Sequence, residues 1–153
     1  MTLPPSANAS VSTSASATAR SALRTILLVE DEPFVREATC NILQSAGFAV
    51  LSAGDPRDAM KVYEDRHREI SLVMTDMVLP GGTGQQLGQD LRQRSPEVVV
   101  LVTSGYSDRE FDLEVPESHI YFLAKPYSRR TLVDKIEKIL ATVPLARVAT
   151  QAG

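Results

Sequence analysis

The sequence predicts an α/β fold: a five-stranded, parallel, doubly wound sheet with helices on both faces. Three observations predict it. Short runs rich in Val, Ile and Leu recur, as in Ile26-Leu27-Leu28-Val29, Leu72-Val73-Met74 and Val98 to Val102. Such runs read as strands buried on both faces. Segments with apolar residues at helical spacing stand between them, so strand and helix patterns alternate five times, as βα units do. Polar residues that carry chemistry follow the strand runs directly: Glu30-Asp31, Asp76, Ser104 and Lys125. Open α/β sheets carry their ligand crevice at that carboxyl edge.

The elements follow in order. A strand is expected over 25–29 and a helix over 33–46. Pro33 falls in the first turn, where a missing N–H costs little. Val35, Ala38, Ile42 and Ala46 recur at helical spacing and mark the expected inward stripe, and Gly47 is a stop. A second strand is expected over 48–52. Asp55 offers an N-cap and Pro56 an N1 residue for a helix to about residue 67, with Ala59, Met60 and Tyr63 inward. A third strand covers 71–75. Pro80-Gly81-Gly82-Thr83-Gly84 reads as a loop; no Gly-Lys-Ser/Thr follows it, as a nucleotide phosphate loop would require. A helix then runs to about residue 94 with Leu87 and Leu91 inward. A fourth strand covers 98–103. Residues 107–115 suit a short helix, limited by Pro116. A fifth strand covers 120–123. Ser128 caps a last helix with the face Leu132, Ile136, Ile139, Leu140 and Val143.

Composition bounds the function. At 153 residues the chain holds one core, not two. A net charge of −3 argues against broad electrostatic binding of nucleic acid. The longest aliphatic run, Val98 to Val102, is far below the roughly 20 residues of a membrane span. The lone cysteine, Cys40, excludes an internal disulfide framework and fits a reducing compartment. Its place in a helical pattern suits a packed thiol. Residues 1–24, mostly Ser, Ala, Thr and Pro, cannot bury enough surface to offset chain entropy and read as a disordered leader. No basic n-region with a following apolar stretch marks a secretory signal. The Ser-rich, acid-poor composition is shared with transit peptides, but a floppy tail is the expectation. The folded domain is expected over 25–143, with a flexible tail over 144–153.

Three carboxylates, a hydroxyl and an ammonium at one sheet edge suit a divalent cation and a phosphoryl group. A carboxylate can act as a phosphoryl nucleophile, and Mg²⁺ prefers hard oxygen ligands and keeps several waters. A lone Asp, Lys or acidic pair in such a loop would be a cap or a solvated charge. The set of pieces at these spacings lifts them above that. Glu32 reads as a plain loop acid. His67 and His119 have no matching ligand set and read as surface histidines.

The segments ILLVEDEP, LVMTDMVLPGGTG, VLVTSG and FLAKPY, in this order, resemble a response-regulator receiver domain of two-component signalling over 25–143. The resemblance implies a flavodoxin-like (βα)5 strand order. It implies Asp76 as phosphoacceptor and Glu30, Asp31, Asp76 and the Val78 backbone carbonyl as ligands of Mg²⁺, with Mn²⁺ able to substitute. Many receivers carry Asp where this chain has Glu30, so the longer Glu30 binds directly or through water. Lys125, followed by Pro126 as in the family's Lys-Pro pair, would neutralise phosphoryl charge. Ser104, followed by the small Gly105, would be the switch hydroxyl; side-chain alternation favours it over Thr103. Phe122 would be the switch aromatic, or a plain core ring.

The implied function is a phosphoacceptor, charged by a histidine kinase or histidine phosphotransfer protein and signalling to a downstream protein target in the cytoplasm. Neither nucleic acid nor membrane is expected as a partner, because residues 144–153 are too few for a DNA-binding domain. The module shares catalysis of its own phosphorylation and dephosphorylation without turning over a small molecule. The side holding 107–115, the fifth strand and the last helix is the expected output face. One alternative is a receiver fragment of a hybrid histidine kinase, which the Thr103-Ser104-Gly105-Tyr106 run resembles. Another is a Mg²⁺-dependent phosphatase with an aspartyl nucleophile. Val78 stands where such phosphatases of the haloacid dehalogenase type need a second Asp, and argues against it.

Overall fold

A computed structural model describes residues 24–105 and 119–142. In chain order these form β1 (Thr25–Val29), α1 (Pro33–Ser45), β2 (Ala49–Ala53), α2 (Pro56–Arg66), β3 (Ile70–Asp76), β4 (Val78–Leu79), β5 (Gly82–Thr83), α3 (Gly84–Arg94), β6 (Val100–Ser104), β7 (Ile120–Ala124) and α4 (Arg129–Thr142). Five strands make one parallel sheet in the order β2-β1-β3-β6-β7, with β3 central. That is the doubly wound, flavodoxin-like order. The helix expected over 107–115, Val143, and the leader and tail outside 24–142 lie outside the described residues.

Alternation along each strand builds two apolar layers. Leu27, Val29, Val73, Val100, Val102 and Phe122 meet Ala59, Tyr63, Leu87 and Leu91 of α2 and α3 on one face. Ile26, Leu28, Leu72, Met74 and Leu101 meet Leu43, Leu132, Ile136 and Ile139 of α1 and α4 on the other. Both faces are covered, which is why the strand runs are continuous rather than alternating in hydrophobicity.

The helix starts follow the capping residues. The Asp55 carboxylate accepts from the Asp58 amide at 2.8 Å, and Pro56 opens α2. The Ser128 hydroxyl accepts from the Thr131 amide at 3.0 Å ahead of α4. The Thr83 hydroxyl accepts from the Gln86 amide at 3.0 Å ahead of α3. Glu32, expected to be an idle loop acid, is the N-cap of α1.

Three expectations need correction. The deepest residues of α1 are Thr39 and Leu43; of the expected stripe, Ile42 and Ala46 pack against the core, while Val35 and Ala38 do not. Val35 is 40% exposed, Ala38 is exposed, and Ile42 and Ala46 are half-buried. Thr39 takes the buried place because its hydroxyl donates to the Val35 carbonyl at 2.8 Å and so enters the core satisfied. The run 80–84 is not only a loop. Val78–Leu79 and Gly82–Thr83 pair antiparallel as a small ribbon, with Gly81 at φ 82° in the turn, a conformation open to glycine. The fourth strand begins at Val100 rather than residue 98 and runs through Ser104. Among the described residues no helix is long and apolar enough to cross a membrane.

Candidate functional site

Four strand ends converge at one edge. β1 hands over to Glu30 and Asp31, β3 ends on Asp76, β6 ends on Ser104, and β7 is followed by Lys125. Main-chain bonds stitch these ends together. The Met77 amide donates to the Thr103 carbonyl and the Lys125 amide to the Ser104 carbonyl, both at 2.8 Å. The Glu30 amide donates to Ala53, at the end of β2, at 3.0 Å. The Lys125-Pro126 bond is cis.

The side chains then meet. Lys125 Nζ lies 3.0 Å from Asp76 Oδ1 and 4.0 Å from Glu30 Oε1. A charge-assisted hydrogen bond of this kind holds a lysine far more firmly than a solvated surface pair does. Glu30, Asp31 and Asp76 each bring a carboxylate oxygen within 4.8 Å of the others'. Oxygens around an octahedral Mg²⁺ at about 2.1 Å span at most about 4.2 Å. Three hard donors gathered to nearly that spread fit such an ion. Glu30 is buried, Asp76 half-buried and Asp31 exposed.

Burial pushes the Glu30 carboxyl above its usual range, and neighbouring Asp76 and Asp31 push the same way. The Glu32 amide, which donates to Glu30 Oε2 at 3.2 Å, and Lys125 oppose this. Three carboxylates with one partial counter-ion form a site in which a further cation relieves repulsion.

Asp76, Met77, Val78, Ser104, Gly105 and Lys125 line an open cleft. Ser104 rather than Thr103 faces it. The Thr103 hydroxyl instead donates to the Thr75 carbonyl at 3.4 Å. Val78 is 56% exposed beside the cleft. Phe122 is 8% exposed in the core layer of α2 and α3. It pairs with Val102, two residues before the Ser104–Ala124 pair, so Ser104 and Phe122 share one side of the sheet. The histidines stand apart from the acidic cluster. His67 is exposed and touches the Tyr63 ring, and His119 precedes β7 at φ 60°.

Three structural partners escaped the sequence. Gly84 opens α3 against the central strand: a Cβ there would fall well inside 3.0 Å of the Asp76 carbonyl oxygen. Its amide donates to Met77 at 2.7 Å. Its signal was present in the three glycines among 81–84, which read as a flexible turn. Tyr127, just past the cis bond, packs partly buried against the layer of α1 and α4, and burial pushes its phenol up. Arg36 Nη1 donates to the Glu30 carbonyl at 2.7 Å. Neither Tyr127 nor Arg36 carries a sequence signal separating it from other surface residues.

Known proteins are similar to this chain. A family model described as the response regulator receiver domain matches residues 26–137. The sensor kinase CckA of Brucella abortus (strain 2308) is 34% identical over 125 residues, which cover 81% of this chain and 13% of CckA. The phosphate regulon transcriptional regulatory protein PhoB of Escherichia coli (strain K12) is 31% identical over 129 residues, covering 80% of this chain and 55% of PhoB. The chain thus spans a small part of one relative and about half of the other. The crystal structure of the receiver domain from the hybrid histidine kinase CckA superposes with a TM-score of 0.64 at 30% identity, covering 76% of this chain and 98% of that one.

Proposed function

This chain belongs to the response regulator receiver domain family of two-component systems, and on that premise we propose that Asp76 accepts a phosphoryl group from the phosphohistidine of a histidine kinase or histidine phosphotransfer protein. The carrying observation is Asp76 at the tip of the central strand, 3.0 Å from the Lys125 ammonium and gathered with Glu30 and Asp31 beside an open cleft. An Asp76 carboxylate oxygen attacks phosphorus as the P–N bond of the donor breaks. The imidazole leaves and takes up a proton, and an aspartyl-phosphate remains. Glu30, Asp31, Asp76 and the Val78 carbonyl would hold Mg²⁺, or Mn²⁺ in its place. When bound, the ion would screen the repulsion between anionic donor and anionic acceptor and orient the phosphoryl oxygens.

Lys125 releases Asp76 and pairs with a phosphoryl oxygen. The Ser104 hydroxyl donates to another oxygen, and Phe122 fills the space that its loop vacates. Water later hydrolyses the acyl phosphate and resets the module, so there is no small-molecule turnover. The signal leaves through protein–protein contacts in the cytoplasm, with neither nucleic acid nor membrane engaged by residues 25–143. The test is labelling with acetyl phosphate or a phosphorylated kinase. Asp76→Asn keeps the shape and loses the nucleophile, so base-labile label disappears. Phosphate found by mass spectrometry on another residue of the wild type overturns the assignment.

A second reading, a receiver within a hybrid histidine kinase, is favoured by the similarity to the CckA kinase and to its receiver structure. It shares the same chemistry. An immunoblot of the source cells with antibody against residues 25–143 separates the two: a band at the size of a kinase supports the hybrid, and a band near 16.6 kDa sinks it.

A further inference from the structure

We propose that Arg36 is the positioning residue of the acidic pair: it holds the Glu30–Asp31 peptide and thereby sets the metal affinity of the site. This rests on the metal-dependent reading above. Arg36 lies in the first turns of α1, and its Nη1 donates to the Glu30 carbonyl at 2.7 Å. Among the described residues Lys125 is the cation beside the carboxylates; Arg36 reaches the main chain instead. The Glu30 amide is already held by the Ala53 carbonyl at 3.0 Å. Glu30 is therefore fixed at both its N–H and its C=O, by β2 on one side and α1 on the other.

A peptide unit is planar, so the Glu30 carbonyl and the Asp31 amide turn together. Fixing that carbonyl fixes the direction in which Asp31 leaves the strand. Asp31 is exposed and its side chain makes no hydrogen bond or ion pair among the described residues, so its carboxylate depends on the backbone for its aim. The guanidinium has a built seat. A Cβ on Gly54 would meet Arg36 Nη1 at 3.2 Å, so the glycine that follows β2 leaves it room. The Arg36 amide donates to the Glu32 carbonyl at 2.8 Å, anchoring the other end of the same loop. Groups that orient ligands set metal affinity although they never touch the ion.

The test is Mn²⁺ binding to the full chain, read by water-proton relaxation under native conditions, with urea unfolding run in parallel. Arg36→Met keeps the apolar stem and removes the donor; Arg36→Lys keeps one donor. Arg36→Met is expected to bind Mn²⁺ about tenfold more weakly, and Arg36→Lys to recover most of the loss. A residue that merely supports the fold would lower the urea midpoint and leave the affinity of the folded protein unchanged. Wild-type affinity in Arg36→Met, or an equal loss in both variants, overturns the proposal. Asp31→Asn in the same titration separates the two levels. Lost binding there with unchanged binding in Arg36→Met overturns the brace alone. Unchanged binding in both overturns the metal site and the brace with it.

Discussion

Gly84 is the tightest point beside the phosphoacceptor candidate. A methyl group there has no room against the Asp76 carbonyl and the Thr75 side chain. Gly84→Ala is expected to push α3 off the central strand, cost roughly 1–3 kcal/mol as overpacking does, and misplace Asp76. Urea unfolding and labelling with acetyl phosphate read both effects; a variant with wild-type stability and labelling would show that the helix yields freely. Glu30 and Asp31 differ in a way the sequence only hinted at. Glu30 is buried, with its oxygens near the Glu32 amide and Lys125, whereas Asp31 is exposed. Asp31→Ala is expected to weaken Mg²⁺ binding more than Glu30→Ala, and calorimetric titration of the two decides it; the reverse order would make Glu30 the main ligand.

At the scale of elements, α1 shows what a sequence conveys and what it withholds. Its existence, its proline start and its glycine stop were legible, because they depend on local chemistry. Its buried face was legible only in part: Ile42 and Ala46 do pack on the core, but the deepest residues, Thr39 and Leu43, were not in the expected stripe. Thr39 counts as polar in any pattern, yet its hydroxyl is satisfied within the helix and the residue turns inward. Leu43→Ala is therefore expected to cost about 2–5 kcal/mol and Val35→Ala, at 40% exposure, no more than about 0.5 kcal/mol. Urea midpoints that rank the two the other way would restore the sequence-based face. β6 and β7 carry the second expectation at this scale. Ser104→Ala leaves Asp76 and Lys125 in place, so the variant is expected still to take phosphate under the proposed function. The hydroxyl bond it loses is worth roughly 1.5–3 kcal/mol, enough to weaken a two-state response by about tenfold or more. Amide shifts in β7 and α4 on adding beryllium fluoride with Mg²⁺ should shrink in the variant; equal shifts in both proteins would remove Ser104 from the signal path.

For the whole molecule, the parallel sheet and the edge that bears the site followed from alternation and from what stood after each strand, whereas the order of strands came from the resemblance to receiver domains. The sheet repeats that logic, with Asp76, Ser104 and Lys125 around one cleft. What stayed hidden was how one element seats on the next: Arg36 on the Glu30 carbonyl, Tyr127 against the layer of α1 and α4, Gly84 on Asp76. These depend on where helices land, and spacing along the chain does not encode that. The gathered carboxylates also tie ligand binding to folding. A cation that binds only the folded chain adds about 2.7 kcal/mol at a hundredfold excess over its dissociation constant. The melting temperature should climb with Mg²⁺ in the wild type and stay flat in Asp31→Asn; a flat curve for both would argue against an ion at this edge.

The stitched strand ends carry one more consequence. Each of the Glu30, Met77 and Lys125 amides bonds to a neighbouring strand, so the reactive groups meet only when those strands are aligned. A slip of one residue in any pairing turns that strand's side chains to the opposite face. A misaligned sheet would keep its apolar layers roughly covered and still be chemically silent. If Asp76 is the acceptor as proposed, the fraction of a preparation that takes up phosphate would count the molecules whose four strand ends are in register, and the acceptor would serve as an assay of its own assembly.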